Sequence, residues 1–391
     1  MSARHTILEM FDAALRAVHG RACVERALRG KTLPAPIDVF AIGKAASAMA
    51  LGARDALGER ISRMLVITKL GHSDPGLAGD GIVQLEGPHP MPDARSLELG
   101  EMLATRVRGL APDRFPLFLV SGGSSSLVES LRDGASLDQL RALNARGLES
   151  GWSIAALNAE RARLSRIKGG GIARLLGARP ALALFISDVP DEDPEVIGSG
   201  LLGRGSDDEV AREIVANVGA AVAAVAAAGR ARGLTLEARA TRFDGEAIDV
   251  AHEFVTALRE SPAHGLVWGG ESTVKLPARH GRGGRNTHLA LAAAQLLRAG
   301  EPLTILAAGT DGTDGPGEDA GAMVDAGTVE RAELAGCDVE RAFREFDSGT
   351  ALEMSEDLVH TGPTGTNVGD LLIGIRYSAS SSRGLGPSRV L

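Results

Sequence analysis

A chain of 391 residues is too long for one ordinary core and fits two domains. Its apolar fraction of 44% is that of a globular protein, and its 50 glycines cluster between periodic segments, which points to many tight loops and not to a collagen-like or disordered chain. A net charge of −8 argues against a general nucleic-acid binder, 3% aromatics argue against a base-stacking surface, and two cysteines without C-x-x-C spacing argue against a disulfide framework or a cysteine zinc site.

Residues 5–29 carry apolar positions at helical spacing, among them Ile7, Leu8, Phe11, Ala14, Leu15 and Val18. Residues 37–42 read as a buried strand, and Gly43-Lys44 turns the chain into a helix over 45–57. Strands follow at 64–68 and 82–85. The run Pro88-His89-Pro90-Met91-Pro92-Asp93 must be extended, because each proline biases its predecessor away from helix. Asp93 then caps a helix starting near Ala94. Residues 115–120 are a strong strand, followed by Ser121-Gly122-Gly123-Ser124 and a helix from Leu127. Amphipathic helices are expected over 137–148 and 154–164, a helix over 172–176, and a strand over 181–186 ending at Ser187-Asp188. This alternation, continuing to about residue 228, is the pattern of a doubly wound α/β domain.

The second half reads differently. Strands are expected at 234–241, 265–268, 272–276, 303–308 and 371–375, with helices at 249–258 and 287–297. The boundary is set at 235/236, giving domains 1–235 and 236–377, with 378–391 as a Ser/Gly/Arg-rich flexible tail. No apolar run approaches a membrane span, and Met-Ser-Ala-Arg-His is not followed by a signal core. The expectation is a cytoplasmic protein with no membrane or nucleic-acid partner, a monomer or a homodimer.

Five glycine-rich segments carry the chemistry, and at least three directly follow apolar, β-branched runs. That is where a parallel sheet delivers its loops to a ligand. Gly43-Lys44 sets a lysine at the opening of a helix, where N–H groups and the ammonium favour an anion; a solvated strand-end lysine is equally compatible. The Walker A spacing G-x-x-x-x-G-K-S/T is absent. Ser121, Gly122, Gly123 and Ser124 can form a nest of N–H groups for phosphate or carboxylate, or a serine turn capping the next helix. Neither a G-x-G-x-x-G fingerprint nor a G-x-S-x-G elbow is present there. Arg285, beside Asn286, offers a planar bidentate contact to phosphate or carboxylate; a surface ion pair is its alternative. Glu271 after two glycines is either a site carboxylate or a solvated turn. Asp311 and Asp314 share a Gly/Asp loop after a strand. Two converging carboxylates call for a cation, Mg²⁺ with phosphate oxygens being the natural one, unless they serve Asx turns. Asp188 is a base, metal ligand or cap; His89 sits in a stiff loop; Lys168 precedes three glycines and reaches a phosphate or decorates a helix end. Thr364 and Asn367 belong to the fifth glycine-rich segment, counted with the ligand loops.

The order of these motifs resembles the glycerate 2-kinase family, whose C-terminal region is called the MOFRL domain and some of whose members carry the label hydroxypyruvate reductase. The matching segments are AIGKAA (41–46), HPMPD (89–93), LVSGGSSSL (119–127), LSRIKGG (164–170), ISDVPDEDPEVIGSG (186–200), GGESTVKL (269–276), GRGGRNTHLALAAA (281–294), AAGTDGTDGPGEDAGA (307–322) and TGPTGTNVGDLL (361–372). The resemblance implies a Rossmann-like N-terminal domain, a smaller α/β MOFRL-type C-terminal domain and an active site in the cleft between them. It implies ATP-dependent phosphorylation of D-glycerate at the 2-hydroxyl, with Lys44 and Arg285 as leading catalytic residues. For orienting the hydroxyl, Asp188 is our own choice from the strand-end Ser187-Asp188. The chain departs from the family pattern at Ser124, where a third glycine is common, and at Leu201-Leu202, where a Pro-Thr pair is common. It also runs past the usual end near Gly374-Ile375. Two rivals are an NAD(P)H-dependent hydroxypyruvate reductase, which the missing dinucleotide fingerprint disfavours, and a non-catalytic binding protein, which Lys44 and Arg285 together disfavour.

Overall fold

The computed structural model describes residues 2–149, 154–205, 209–277 and 279–376; the expected tail lies outside them. The chain forms two compact units, each discontinuous in sequence. One comprises Arg16–Asn217 and Pro363–Val368, the other Met1–Leu15, Val218–Gly362 and the residues from Gly369 on.

The first unit is built on six strands: β1 (Ile37–Ile42), β2 (Ile61–Lys69), β3 (Ile82–Gly87), β4 (Phe115–Val120), β5 (Ala181–Ile186) and β6 (Val210–Ala216). They form one all-parallel sheet in the order β3-β2-β1-β4-β5-β6. Parallel neighbours need crossovers, and the helices Ala46–Leu57 and Ala94–Arg108 supply two of them. Every residue of β1 and β5 is buried, which is why these strands read as unbroken apolar runs. On one face, Phe40, Ile42, Leu65, Phe118, Val120 and Phe185 pack against Leu99 and Leu103 of the helix Ala94–Arg108 and Ile172 of the helix Gly171–Leu176. Strand order reverses between β1 and β4. In a doubly wound sheet the loops leaving those two strands diverge and open a crevice at their carboxyl ends. The Gly43-Lys44 and Ser121-Gly122-Gly123 loops leave at that point.

The second unit holds β7 (Leu236–Ala238), β8 (Gly265–Gly270), β9 (Leu303–Gly309), β10 (Gly321–Asp325), β11 (Leu358–Val359) and β12 (Asp370–Arg376). Their order is β11-β10-β9-β12-β8-β7, antiparallel except for the parallel pair β7/β8. Phe254 and Leu258 of the helix Ala247–Glu260, and Leu289, Ala290 and Ala293 of the helix Arg285–Leu296, share a core with Trp268, Ile305 and Leu372.

Several local expectations are corrected. The helix expected to start at Leu127 ends there, since Ser124–Leu127 makes one turn and Val128 is extended. Residues 5–29 split into helices Ala3–Ala17 and Gly20–Leu28, with the His19 imidazole accepting the Arg21 N–H at 3.2 Å. Residues 272–276 form no strand beyond a single bridge between Thr273 and Glu246.

Candidate active site

The first unit gathers its candidate site residues at the carboxyl ends of β1, β4 and β5. The loops after β1 and β4 are tied by backbone and hydroxyl bonds. Lys44 N donates to Gly122 O at 3.0 Å and Ala45 N to Ser121 Oγ at 3.0 Å. Gly43 has φ +130°, and a β-carbon there would lie 2.2 Å from Ser121 Oγ, so only glycine allows this closeness. The amide of Asn367, on the short segment that this unit borrows from late in the chain, donates to Asp188 Oδ2 at 3.1 Å. Both side chains close over Gly122, where a β-carbon would sit 1.9 Å from Asp188 Oδ2 and 2.0 Å from Asn367 Nδ2. Lys44 and His89 approach the next residue: a β-carbon at Gly123 would be 3.0 Å from Lys44 Cγ and 3.2 Å from His89 Nε2.

A small cavity of about 180 Å³ opens beside this loop, lined by His89, Gly123, Ser125, Asn144, Arg161 and Lys168 among others. Lys168 is buried and its ammonium bonds Glu129 Oε2 at 2.6 Å. Glu129 in turn accepts Ser165 Oγ at 2.5 Å and Ser130 N at 2.9 Å. Burial pulls the Lys168 pKa down, against the attraction of Glu129. Ser124 is fully buried and faces Gly198, where a β-carbon would meet its Oγ at 2.3 Å. Thr364 lies half-buried on the borrowed segment, next to Gly365, which packs on His19 and Ala48.

The second unit assembles Glu271, Arg285, Asn286, Asp311 and Asp314 around Asp370. Arg285 donates through Nε to Asp370 Oδ2 at 2.9 Å and lies 2.5 Å from Glu271 Oε1 through Nη1. Burial pulls the guanidinium pKa down, but Asp370 and Glu271 more than reverse that, so Arg285 is a permanent cation held in a fixed plane. Asp314 accepts Asn286 N at 2.9 Å and Thr287 N at 2.7 Å, capping the helix that carries Arg285. Burial pushes its carboxyl up to about 6, against those two N–H groups. Asp311 accepts the N–H of Thr313 at 3.0 Å within its own turn.

Within each unit the structure therefore joins the residues expected from sequence. Lys44, Ser121, Gly122, Gly123, His89, Lys168, Asp188 and Asn367 belong to one cluster; Glu271, Arg285, Asn286, Asp311 and Asp314 to the other. Four contributors were missed: Glu129, Asn144, Arg161 and Asp370. Asp370 follows the fifth glycine-rich segment by three residues, and that position was the available signal; the other three lie outside every glycine-rich segment and carried none.

Among the described residues, no group of three or more His, Cys, Asp or Glu is arranged to hold a metal ion. Mg²⁺ on a nucleotide does not need such a cage, since phosphate oxygens and water complete a shell anchored by one or two carboxylates. Asp314 already has both oxygens occupied by helix N–H groups.

Residues 6–230 match the family model described as a domain of unknown function, DUF4147, and residues 264–370 match the MOFRL family. A D-glycerate 2-kinase of Thermotoga maritima is 33% identical over 96% of this chain and 98% of its own length. This chain belongs to the glycerate 2-kinase family. The crystal structure of a glycerate kinase from Thermotoga maritima superposes with a TM-score of 0.82 at 31% identity, covering 95% of this chain and 99% of that one. A further family relative, from Agrobacterium vitis, is provisionally named a hydroxypyruvate reductase and is 35% identical over 95% of this chain and 94% of its own length. Among the described residues, no helix of this glycerate 2-kinase family member is long and apolar enough to cross a membrane.

Proposed function

We infer that this chain transfers the γ-phosphoryl group of ATP to the 2-hydroxyl of D-glycerate, giving 2-phospho-D-glycerate and ADP. The observation that carries this reading is full-length likeness to a D-glycerate 2-kinase, together with a lysine rather than a dinucleotide fingerprint in the first βα turn. In the transfer, the 2-hydroxyl oxygen forms a bond to the γ-phosphorus, the bond from that phosphorus to ADP breaks, and the hydroxyl proton leaves to solvent or to Asp188. Such transfers rest on positioning and electrostatics, because the transition state is loose and its charge is spread over the phosphoryl oxygens.

Lys44, at a helix opening with the N–H groups of the Gly122-Gly123 loop beside it, stabilises the transferring phosphoryl. Arg285 does the same with a guanidinium whose orientation Asp370 fixes. Asp188, oriented by the Asn367 amide, positions the hydroxyl. Mg²⁺, when bound with the nucleotide, neutralises phosphate charge, and Asp188 or Asp311 would hold it. The ATP requirement also leads us to propose a cytoplasmic location.

The reductase reading needs a glycine-rich dinucleotide turn after β1. Here that turn is Gly43-Lys44-Ala45-Ala46, with a single glycine. Two assays separate the readings. A coupled ADP assay with ATP, Mg²⁺ and D-glycerate is expected to show turnover, and NADH absorbance with hydroxypyruvate is expected to stay constant. NADH consumption without ADP formation would reverse the assignment.

A further inference from the structure

We propose that Arg161 anchors the carboxylate of the hydroxy-acid substrate in the small cavity beside the Gly122-Gly123 loop, making it a specificity determinant for a three-carbon acid. The proposal rests on the kinase reading for the identity of the acid. It stands on the charge and size of the cavity.

The first observation is an unbalanced cation. Arg161 lies on the helix Ile154–Leu164 and is half-buried. Its Nε donates to Asn144 Oδ1 at 2.8 Å and its Nη1 to Asn158 Oδ1 at 3.2 Å. Both acceptors are neutral amides. A guanidinium has five N–H donors, so the remaining ones have no acceptor among the described residues. The neighbouring cation, Lys168, is already matched by Glu129 at 2.6 Å. Glu129 attracts Arg161 as well, but one carboxylate stands against two cations, so the described residues leave the cavity with one net positive charge. A half-buried cation hydrogen-bonded only to amides among the described residues calls for an anion, and a carboxylate fits the planar fork bidentately.

The second observation is how firmly the fork is held. Asn158 Oδ1 also accepts Ser199 Oγ at 2.9 Å, and Ser199 Oγ lies 2.6 Å from Ser125 Oγ. Ser125 lines the same cavity and follows the Gly123 turn, beside which Lys44 and His89 lie. A carboxylate on Arg161 would therefore be linked by one hydrogen-bonded chain to the loop that handles phosphate.

The third is size. The cavity measures about 180 Å³, more than ten times the roughly 10–15 Å³ that one water needs on the same measure. A three-carbon hydroxy acid fits such a space, whereas drug-sized and nucleotide ligands occupy sites of roughly 300–1,000 Å³.

The test uses the full chain with Arg161→Gln and Arg161→Lys. Calorimetric titration with D-glycerate, without nucleotide, is expected to show affinity falling at least about tenfold in Arg161→Gln and less in Arg161→Lys. In steady-state assays the KM for D-glycerate should rise by a similar factor while the KM for ATP changes less than about twofold. The preference for D-glycerate over glycerol, which lacks the carboxylate, should collapse in Arg161→Gln; loosened packing alone would weaken both alike. Unchanged D-glycerate affinity in Arg161→Gln, or no D-glycerate binding to the unaltered chain, overturns the proposal. Binding that depends on Arg161 without any phosphoryl transfer by the unaltered chain would leave the carboxylate site standing and remove the kinase reading.

Discussion

Gly122 has no room for a side chain. A methyl group there would overlap Asp188 Oδ2 and Asn367 Nδ2, at 1.9 and 2.0 Å. Gly122→Ala should push the Asp188 carboxylate off its position and lower kcat/KM by about 10²-fold, the usual effect of a misplacement near 1 Å. Retained activity would show that Asp188 need not stand over this glycine. Arg285→Lys keeps the charge but loses the planar fork that Asp370 orients, and turnover should fall by about 10³-fold with folding kept. Near-normal turnover would take Arg285 out of the transfer. His288 raises a different question. It is buried, stacked on Phe343 and Phe346 with centroids 4.6 and 4.3 Å away, and neither ring nitrogen has a hydrogen-bond partner among the described residues. Burial lowers its pKa from 6.5 to about 4. The unfolded chain then binds the proton more readily, so stability is full above pH 6.5 and falls as pH drops toward 4. The loss reaches about 3 kcal/mol near pH 4. Urea unfolding at pH 7 and pH 4.5 should show that His288→Phe loses less stability on acidification than the unaltered chain. Equal losses would mean that His288 is not held neutral.

The helix Arg285–Leu296 shows what one element does for the site. Asp314 caps its first N–H groups, and the same turn presents Arg285 and Asn286. Asp314→Ala should lower stability by about 1–2 kcal/mol, the cost of a lost cap, and leave the Mg²⁺ concentration for half-maximal rate unchanged. A shifted Mg²⁺ requirement would make Asp314 a metal ligand after all. Element by element, legibility followed burial. β1, β4 and β5 were readable because both faces are covered and their residues are almost all apolar. β6 was not, because Arg212 and Glu213 interrupt an edge strand that is half-exposed. The stretch after Asp319 was unread because β10 and the helices Thr328–Leu334, Val339–Arg344 and Ser348–Met354 are five to seven residues long, too short to show a period. The site divides the same way. Glycine loops announce themselves by composition, whereas Asn144 and Arg161 acquire meaning only once the fold brings their elements to one cavity, and Glu129 only through its bond to Lys168.

At the scale of the whole molecule, chain order does not follow the compact units. The first helix, Ala3–Ala17, contributes to the unit formed mainly by Val218–Gly362, burying Ile7, Met10 and Phe11. Arg4 there bonds Asp357 Oδ1 at 2.6 Å, and Glu9 accepts Arg232 Nε at 2.9 Å. Arg331 bonds the same buried Asp357 at 2.8 Å. Burying one such apolar side chain contributes roughly 1.5–3 kcal/mol, so removing residues 1–15 should destabilise that unit by several kcal/mol. Hydrogen exchange should then speed up in β10 and β11 and stay slow in β1, β4 and β5. Uniform loss of protection would show that the two units unfold as one. The function depends on what the whole chain makes. Phosphorus NMR of the mixture formed from ATP, Mg²⁺ and D-glycerate identifies that product directly. The expected outcome is ADP with 2-phospho-D-glycerate as the new phosphomonoester; 3-phosphoglycerate, or ATP left intact, would contradict the assignment.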